Sequence, residues 1–331
     1  MTHGLTADHI ESAAERIAPF VHRTDVVRSA AVDELAGRRV YAKAEHLQRS
    51  GSFKARGAHN KLLIHADVAR ERGVVAVSSG NHATALACAG QRLGVRVDVY
   101  MPSDAPALKQ RATEAYGATI HHFDRHRDDR AELLAHHVAA HGSLPVEPFD
   151  DLDVMAGQGT VAREFLEQSP IDTLIVPMSG GGLMAGCAVA ARAARPGIRL
   201  VGVEPANADD TRRSFAAGER MSVDTPETVA DGLAITAPGK LTLPINLALV
   251  DAVVTVTEEQ IVDACTVLFE RTKQVVEPSG AVALAALLAG EVEGDDVGVV
   301  LSGGNVDLRG LLGVVERVRG AGDPGSGRVL R

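Results

Sequence analysis

Apolar positions along the chain switch between the three-to-four spacing of a helix and short unbroken runs, and these switches predict the elements. A helical pattern over residues 6–17 is stopped by Pro19, and Arg39–Lys43 reads as a short strand. The small-residue stretch Ser50-Gly51-Ser52-Phe53-Lys54-Ala55-Arg56-Gly57-Ala58 follows, with a helix expected over 55–66. Val74–Val77 is a β-branched strand that runs through Ser78-Ser79-Gly80-Asn81-His82 into an alanine-rich helix. Residues 95–101 form a further strand halted by Pro102, and 118–122 begin the next unit.

The second half repeats the pattern. Residues 174–177 lead into Met178-Ser179-Gly180-Gly181-Gly182-Leu183 and a small-residue helix, 200–203 and 253–256 read as strands, and 297–301 end in Ser302-Gly303-Gly304-Asn305. Thr257 and Gln260, three apart, make a capping box for a helix toward Thr272. Strands apolar throughout and alternating with helices imply parallel sheet covered on both faces, so the fold class is α/β.

A chain of 331 residues has room for two domains. Strand grouping assigns 49–150 to a small mobile domain and 1–48 with 151–318 to a large one, and the glycine-containing stretch 319–331 reads as a frayed tail. A formal net charge of -9 argues against a nucleic-acid surface, which leaves a small molecule as the expected ligand. Cys88, Cys187 and Cys265 lack metal or redox spacing and read as buried thiols. With neither a leader-like start nor an apolar run of about 18 residues, a cytoplasmic protein without membrane spans is expected.

Three strand ends deliver Ser/Gly loops, at Ser79, Ser179 and Ser302, and in a parallel sheet such loops share the carboxyl edge where ligands bind. Gly180, Gly181 and Gly182 remove every Cβ from a turn entering a helix, so backbone N–H groups can converge on a phosphate; a plain strand-to-helix turn is the alternative. The spacing is neither a dinucleotide fingerprint nor a P-loop. Lys54 among small residues is either a solvated basic group or a desolvated amine that acts as a nucleophile near neutral pH. A nucleophilic lysine with a separate phosphate cradle describes a pyridoxal 5'-phosphate site, where the aldehyde takes the amine as a Schiff base.

Gly-Ser-Phe-Lys-Ala-Arg-Gly-Ala around Lys54, the Ser-Gly-Asn-His loop, the glycine loop and Ser-Gly-Gly-Asn, in this order over residues 8–312, resemble the threonine/serine dehydratase and serine racemase family. The resemblance implies the tryptophan-synthase β-subunit type of fold: two open, twisted, mostly parallel sheets flanked by helices, with the cofactor in the cleft between a large and a small domain. It further implies that Lys54 carries the cofactor and takes the Cα proton of the substrate, and that Phe53 packs near the ring. Asn81 would hydrogen-bond the phenolic oxygen, Ser179, Gly180, Gly181, Gly182 and Leu183 would hold the phosphate, and Ser302 would face the pyridine nitrogen. Ser79 is the acid/base of the opposite face in racemases and equally a carboxylate-binding or turn-forming hydroxyl. His82, Arg130 and Ile235 are candidate substrate contacts, Arg130 for a distal carboxylate.

By the same resemblance Glu204, Asp210 and the carbonyl of Ala208 are candidate ligands of Mg2+ or Ca2+, whose hard-oxygen preference they match. The histidines at 121, 122, 126, 136, 137 and 141 read as a solvated face instead. The chain departs from the family pattern at Thr84, where a glutamine is frequent, at Ser179, which replaces the first of four glycines, and at Ile235, which replaces a small polar residue of the racemases. The implied activity is β-elimination from a hydroxy amino acid such as L-threonine or L-serine to a 2-oxo acid and ammonia, in a homodimer or homotetramer. A serine/aspartate-type racemase and a catalytically silent cofactor binder are the alternatives.

Overall fold

The computed structural model describes residues 4–105, 107–124 and 127–320. Two sheets organise them. The larger has the order β1 (Val26–Val27), β2 (Arg39–Lys43), β10 (Asp296–Val300), β7 (Thr173–Pro177), β8 (Arg199–Pro205), β9 (Ala252–Val256). All its pairings are parallel except the short edge pair of β1 with β2. The smaller has the order β5 (Thr119–Phe123), β4 (Val97–Pro102), β3 (Val74–Val77), β6 (Leu144–Pro145), parallel throughout. The α/β expectation is met, whereas the two-residue strands β1 and β6 carry too little pattern to be read from sequence.

Helices cover the sheets as the unbroken apolar strands require. In chain order they are α1 (Ala7–Ile17), α2 (Ala30–Ala36), α3 (Lys54–Ile64), α4 (Ala66–Arg72), α5 (Asn81–Leu93), α6 (Ala107–Ala115) and α7 (Arg130–His141). Then come α8 (Leu152–Gln168), α9 (Gly182–Ala194), α10 (Asp210–Ala217), α11 (Thr242–Leu249), α12 (Glu258–Val267), α13 (Pro278–Leu288) and α14 (Leu308–Gly320). One core joins α8 and α9 to the large sheet through Phe165, Leu174, Val176 and Met184, and a second joins α12 and α13 to its other face through Val201, Ile261, Val282 and Val299. The third core lies around the small sheet, with Leu62, Leu86, Val97 and Met101.

Several expectations need correction. Lys54 is the first residue of helix α3 and not a loop residue, since the small side chains before it close a tight turn. The helix expected over 55–66 ends at Ile64 and is followed by the separate α4. The capping box of Thr257 and Gln260 forms, but the helix beyond it widens into a π-helical turn, Leu268–Thr272. The predicted tail begins too early, because α14 includes Arg319 and Gly320; residues 321–331 lie outside the described ones. Cys88, Cys187 and Cys265 are buried and free, as expected. No described helix is long and apolar enough to cross a membrane.

The histidine face is also more structured than a solvated run. His137 is buried, with its ring 5.8 Å from that of His121, and His121 Nε2 lies 2.8 Å from Asp98 Oδ1. His126 lies outside the described residues.

Packing fixes the head of α3 especially firmly. A Cβ on Gly157 of α8 would lie 2.7 Å from the carbonyl oxygen of Arg56, so only glycine lets the two helix backbones touch. Beside this contact the fully buried guanidinium of Arg56 donates to both oxygens of Glu45 and both of Glu164, each at 2.8 Å. Lys43 Nζ adds a bond to Glu164 at 3.0 Å and to the Thr24 carbonyl at 2.7 Å. Two carboxylates and two cations thus neutralise one another away from water, and removing one partner would leave an uncompensated buried charge. Arg56→Met is expected to destabilise the fold by about 3–5 kcal/mol, read from the denaturant midpoint. A midpoint unchanged within error would contradict this account of the network.

Candidate active site

The segment before Lys54 is stitched to the end of β10. Ser52 and Gly303 form an antiparallel bridge, Phe53 N–H donates to the Ser302 carbonyl at 3.1 Å, and Gly304 N–H to the Gly51 carbonyl at 2.9 Å. Gly51 has φ +75 and an added Cβ would lie 2.2 Å from Asn305 Oδ1, so this turn needs glycine twice over. Ser50 also sits in the left-handed region, at φ 59, with its carbonyl accepting from Asn305 Nδ2 at 2.8 Å. Lys54 and Ser302 are thereby brought together by backbone pairing.

The amine of Lys54 donates to the Pro148 carbonyl at 2.6 Å and lies 5.1 Å from the centroid of the Phe53 ring. Burial holds its pKa down to about 8. Its place at the first position of α3 acts in the same direction, because the positive end of the helix dipole disfavours an ammonium. Burial thus pushes the amine toward its neutral form, which is what the desolvated reading requires.

Asn81 opens α5 and donates through Nδ2 to Glu277, while its Oδ1 accepts from Asn305 Nδ2 at 2.8 Å. Burial pushes Glu277 up to about 7. Ser302 is buried and its hydroxyl donates to the Ser279 carbonyl at 3.4 Å. Ser79 is half-buried in the same turn as Asn81. His82 is buried, with Nε2 3.0 Å from the Val146 carbonyl, and burial followed by the nearby Lys54 charge lowers its pKa to about 3. A ring held neutral in this way donates through Nε2.

Expecting the Ser/Gly loops on the edge of one sheet needs correction: the Ser79 loop ends β3 of the small sheet, whereas the Ser179 and Ser302 loops end β7 and β10 of the large one. They face a common region because the sheets meet there. Besides the link through Asn305, Lys109 of α6 forms an ion pair with Asp231.

The glycine loop is a cradle without side chains. A Cβ on Gly180 would lie 2.3 Å from the Phe149 ring, and one on Gly182 would lie 2.7 Å from the Phe149 carbonyl. Gly181 has φ 87 and is the N-cap of α9, with no side-chain hydrogen bond capping that helix. The first-turn N–H groups, which lack intrahelical acceptors, are thus left for an anion. Ser179 takes φ 47, an unusual conformation for a residue with a Cβ, while its hydroxyl donates to the Gly232 carbonyl at 3.0 Å. The serine departure leaves the turn intact.

Of the candidate substrate contacts, Arg130 donates to the Val77 carbonyl at 2.9 Å, two residues before Ser79, and Ile235 is half-buried close in sequence to Gly232. Glu204 and Asp210 lie apart from these groups, at the carboxyl end of β8 and the start of α10. Burial, then the Asp210 charge, pushes Glu204 up to about 8; burial first also pushes Asp210 up to about 7. Both Asp210 carboxylate oxygens are buried without a hydrogen-bond partner. No group of three or more His, Cys, Asp or Glu side chains able to hold a metal occurs among the described residues, so a cation here would need backbone oxygen such as that of Ala208.

Sequence reasoning missed Phe149, Asp150, Thr242, Asn246 and Glu277, which shape the loops from outside. Only the empty side of each glycine hinted at such neighbours.

Three comparisons bear on this arrangement. The profile described as "Pyridoxal-phosphate dependent enzyme" matches residues 17–303. L-threo-3-hydroxyaspartate ammonia-lyase of Saccharomyces cerevisiae is 41% identical over 307 residues, 92% of this chain and 94% of that protein. L-threonine ammonia-lyase of Geobacter sulfurreducens is 42% identical over 312 residues, 93% of this chain and 77% of the other. The structure of maize serine racemase superposes with a TM-score of 0.90 at 40% identity, covering 96% of this chain and 98% of that one. The chain has the fold of these pyridoxal-phosphate enzymes and belongs to the pyridoxal-phosphate dependent enzyme family, in its ammonia-lyase and racemase group.

Proposed function

We propose that this chain is a β-eliminating ammonia-lyase acting on a hydroxy amino acid such as L-threonine or L-serine. The observation that carries the reading is the Lys54 amine at the head of α3, bonded to the Pro148 carbonyl at 2.6 Å and pushed by burial toward its neutral form. Pyridoxal phosphate, when bound, supplies an electron sink for the charge left at Cα. Lys54 would hold the cofactor through its amine, with Phe53 beside the ring and Asn81 toward the phenolic oxygen. Ser179, Gly180, Gly181, Gly182 and Leu183 are assigned to the phosphate and Ser302 to the pyridine nitrogen. The absence of any Cβ at 180–182 and the uncapped start of α9 support this assignment.

In the reaction, Lys54 Nζ, set free once the substrate amine has displaced it from the cofactor, would take the Cα proton and pass it to the β-hydroxyl, which departs as water, and the released enamine would be hydrolysed to a 2-oxo acid and ammonia. One base suffices for elimination. Racemisation needs a second proton donor on the opposite face, and Ser79 is the residue assigned to that position. Ile235 supports a substrate with an apolar β-substituent. Arg130, bonded at the strand end before Ser79, favours a second reading in which the substrate carries a distal carboxylate, as in 3-hydroxyaspartate.

Glu204, Asp210 and the Ala208 carbonyl are assigned to Mg2+ or Ca2+. The unpartnered buried oxygens of Asp210 support this, because a divalent cation offsets what burial costs two adjacent carboxylates. Either cation at about 100 times its Kd is expected to stabilise the protein by about 2.7 kcal/mol, measured as a rise in thermal midpoint that Glu204→Gln removes. A wild-type midpoint indifferent to both ions would rule the site out.

The activity test incubates the purified holoenzyme with L-threonine, L-serine and 3-hydroxyaspartate and measures 2-oxo acid, ammonia and product chirality. Release of 2-oxo acid that is abolished in Lys54→Ala is the expected result. Cofactor attachment to the apoenzyme should accelerate as pH rises through about 8, where the amine loses its proton. Accumulation of the D-enantiomer with little 2-oxo acid would favour the racemase, and bound cofactor without turnover a silent binder.

A further inference from the structure

Asp150 lies between β6 and α8, outside the glycine loop, yet its carboxylate accepts three successive backbone N–H groups. Oδ2 takes that of Lys240 at 2.9 Å, and Oδ1 takes those of Leu241 at 2.8 Å and Thr242 at 3.2 Å. The fit is close: a Cβ on Gly239 would lie 2.3 Å from Asp150 Oδ1, so no side chain can stand there. The turn held in this way leads directly into α11.

That turn and helix hold the phosphate loop by its carbonyls. Gly239 N–H donates to the Gly180 carbonyl at 3.2 Å, and the buried Thr242 hydroxyl donates to the same oxygen at 2.6 Å. Asn246 Nδ2, one helical turn on, donates to the Gly181 carbonyl at 3.1 Å. In a planar trans peptide the carbonyl and the following N–H point in opposite directions. Holding the Gly181 carbonyl therefore aims the N–H of Gly182 the other way, and holding the Gly180 carbonyl sets the plane in which Gly181 N–H closes its turn onto Met178 at 2.9 Å. Phe149, the neighbour of Asp150, fills the space beside Gly180 and Gly182 and leaves the loop no room to relax toward it.

We propose that Asp150 is a positioning residue for the phosphate loop, acting through the 239–246 segment to set how strongly the loop holds a phosphate group. This rests on the assignment of the loop to the phosphate of the cofactor. Its signature is selectivity for phosphate, which a general contribution to stability would not produce.

The test compares full-length apoenzyme binding of pyridoxal 5'-phosphate with that of pyridoxal, which has the same ring and aldehyde but no phosphate. Asp150→Ala is expected to weaken binding of the phosphate form by about tenfold while pyridoxal binding changes by less than about twofold, the scale of losing a carboxylate cap. Asp150→Asn, which keeps one acceptor, should fall between. Thr242→Val removes the hydroxyl from the Gly180 carbonyl while preserving shape, and should show the same selective loss should the Asp150 variants fold poorly. Equal weakening of both compounds in Asp150→Ala or Thr242→Val, or no weakening, overturns the proposal. Wild-type protein that binds neither compound would overturn the cofactor assignment and this inference with it, whereas tight wild-type binding with unselective variants overturns this inference alone.

Discussion

The ion network around Arg56 is the constraint on which the site depends. Two residues from the Lys54 amine, its guanidinium ties the first turn of α3 to Glu45 beyond β2 and to Glu164 on α8. A buried network of this kind contributes little net stability compared with apolar packing, but each partner is costly to remove. It fixes geometry: α3 cannot rotate or slide without separating charges in a medium that solvates them poorly. Lys54 projects from the helix so anchored, and the bridge of Ser52 to Gly303 brings the opposite loop to it.

The same dry surroundings treat the two cations differently. Arg56 has two carboxylates and stays charged, whereas Lys54 donates to a carbonyl oxygen beside the Phe53 ring and burial lowers its proton affinity. Two residues apart, one cation is held charged and the other is pushed toward its neutral form because of what each faces. The glycine loop at 180–182 follows a related logic. Its carbonyls are occupied by groups on and just before α11, its Cβ positions are blocked by Phe149 and Asn246, and the helix behind it has no cap. What remains open to a ligand is backbone N–H, which selects an anion.

How much of this was legible in the sequence depended on whether a signal was local. Unbroken apolar strands such as Val74–Val77 gave the α/β class, and glycines where no side chain fits marked the cradle. Lys54 stood out by its small neighbours, although its place on a helix did not, because Ser50-Gly51-Ser52 reads equally well as loop. Contacts made across long stretches of chain left no trace: Asp150 meets Thr242 over 92 positions and Asn81 meets Glu277 over 196. An aspartate in a Pro-Phe-Asp-Asp turn has the same local appearance whether it caps a distant helix or faces water. The division of the Ser/Gly loops between two sheets was hidden for the same reason, since strand order is not written in any one segment.

The central claim is that Lys54 is the amine that carries the cofactor. Reducing the cofactor-bound protein with borohydride and locating the pyridoxyl group by peptide mass spectrometry tests it most directly. The account predicts modification on the peptide containing Lys54 alone. Modification at Lys43, Lys61 or Lys109 instead, or none at any lysine, would contradict it.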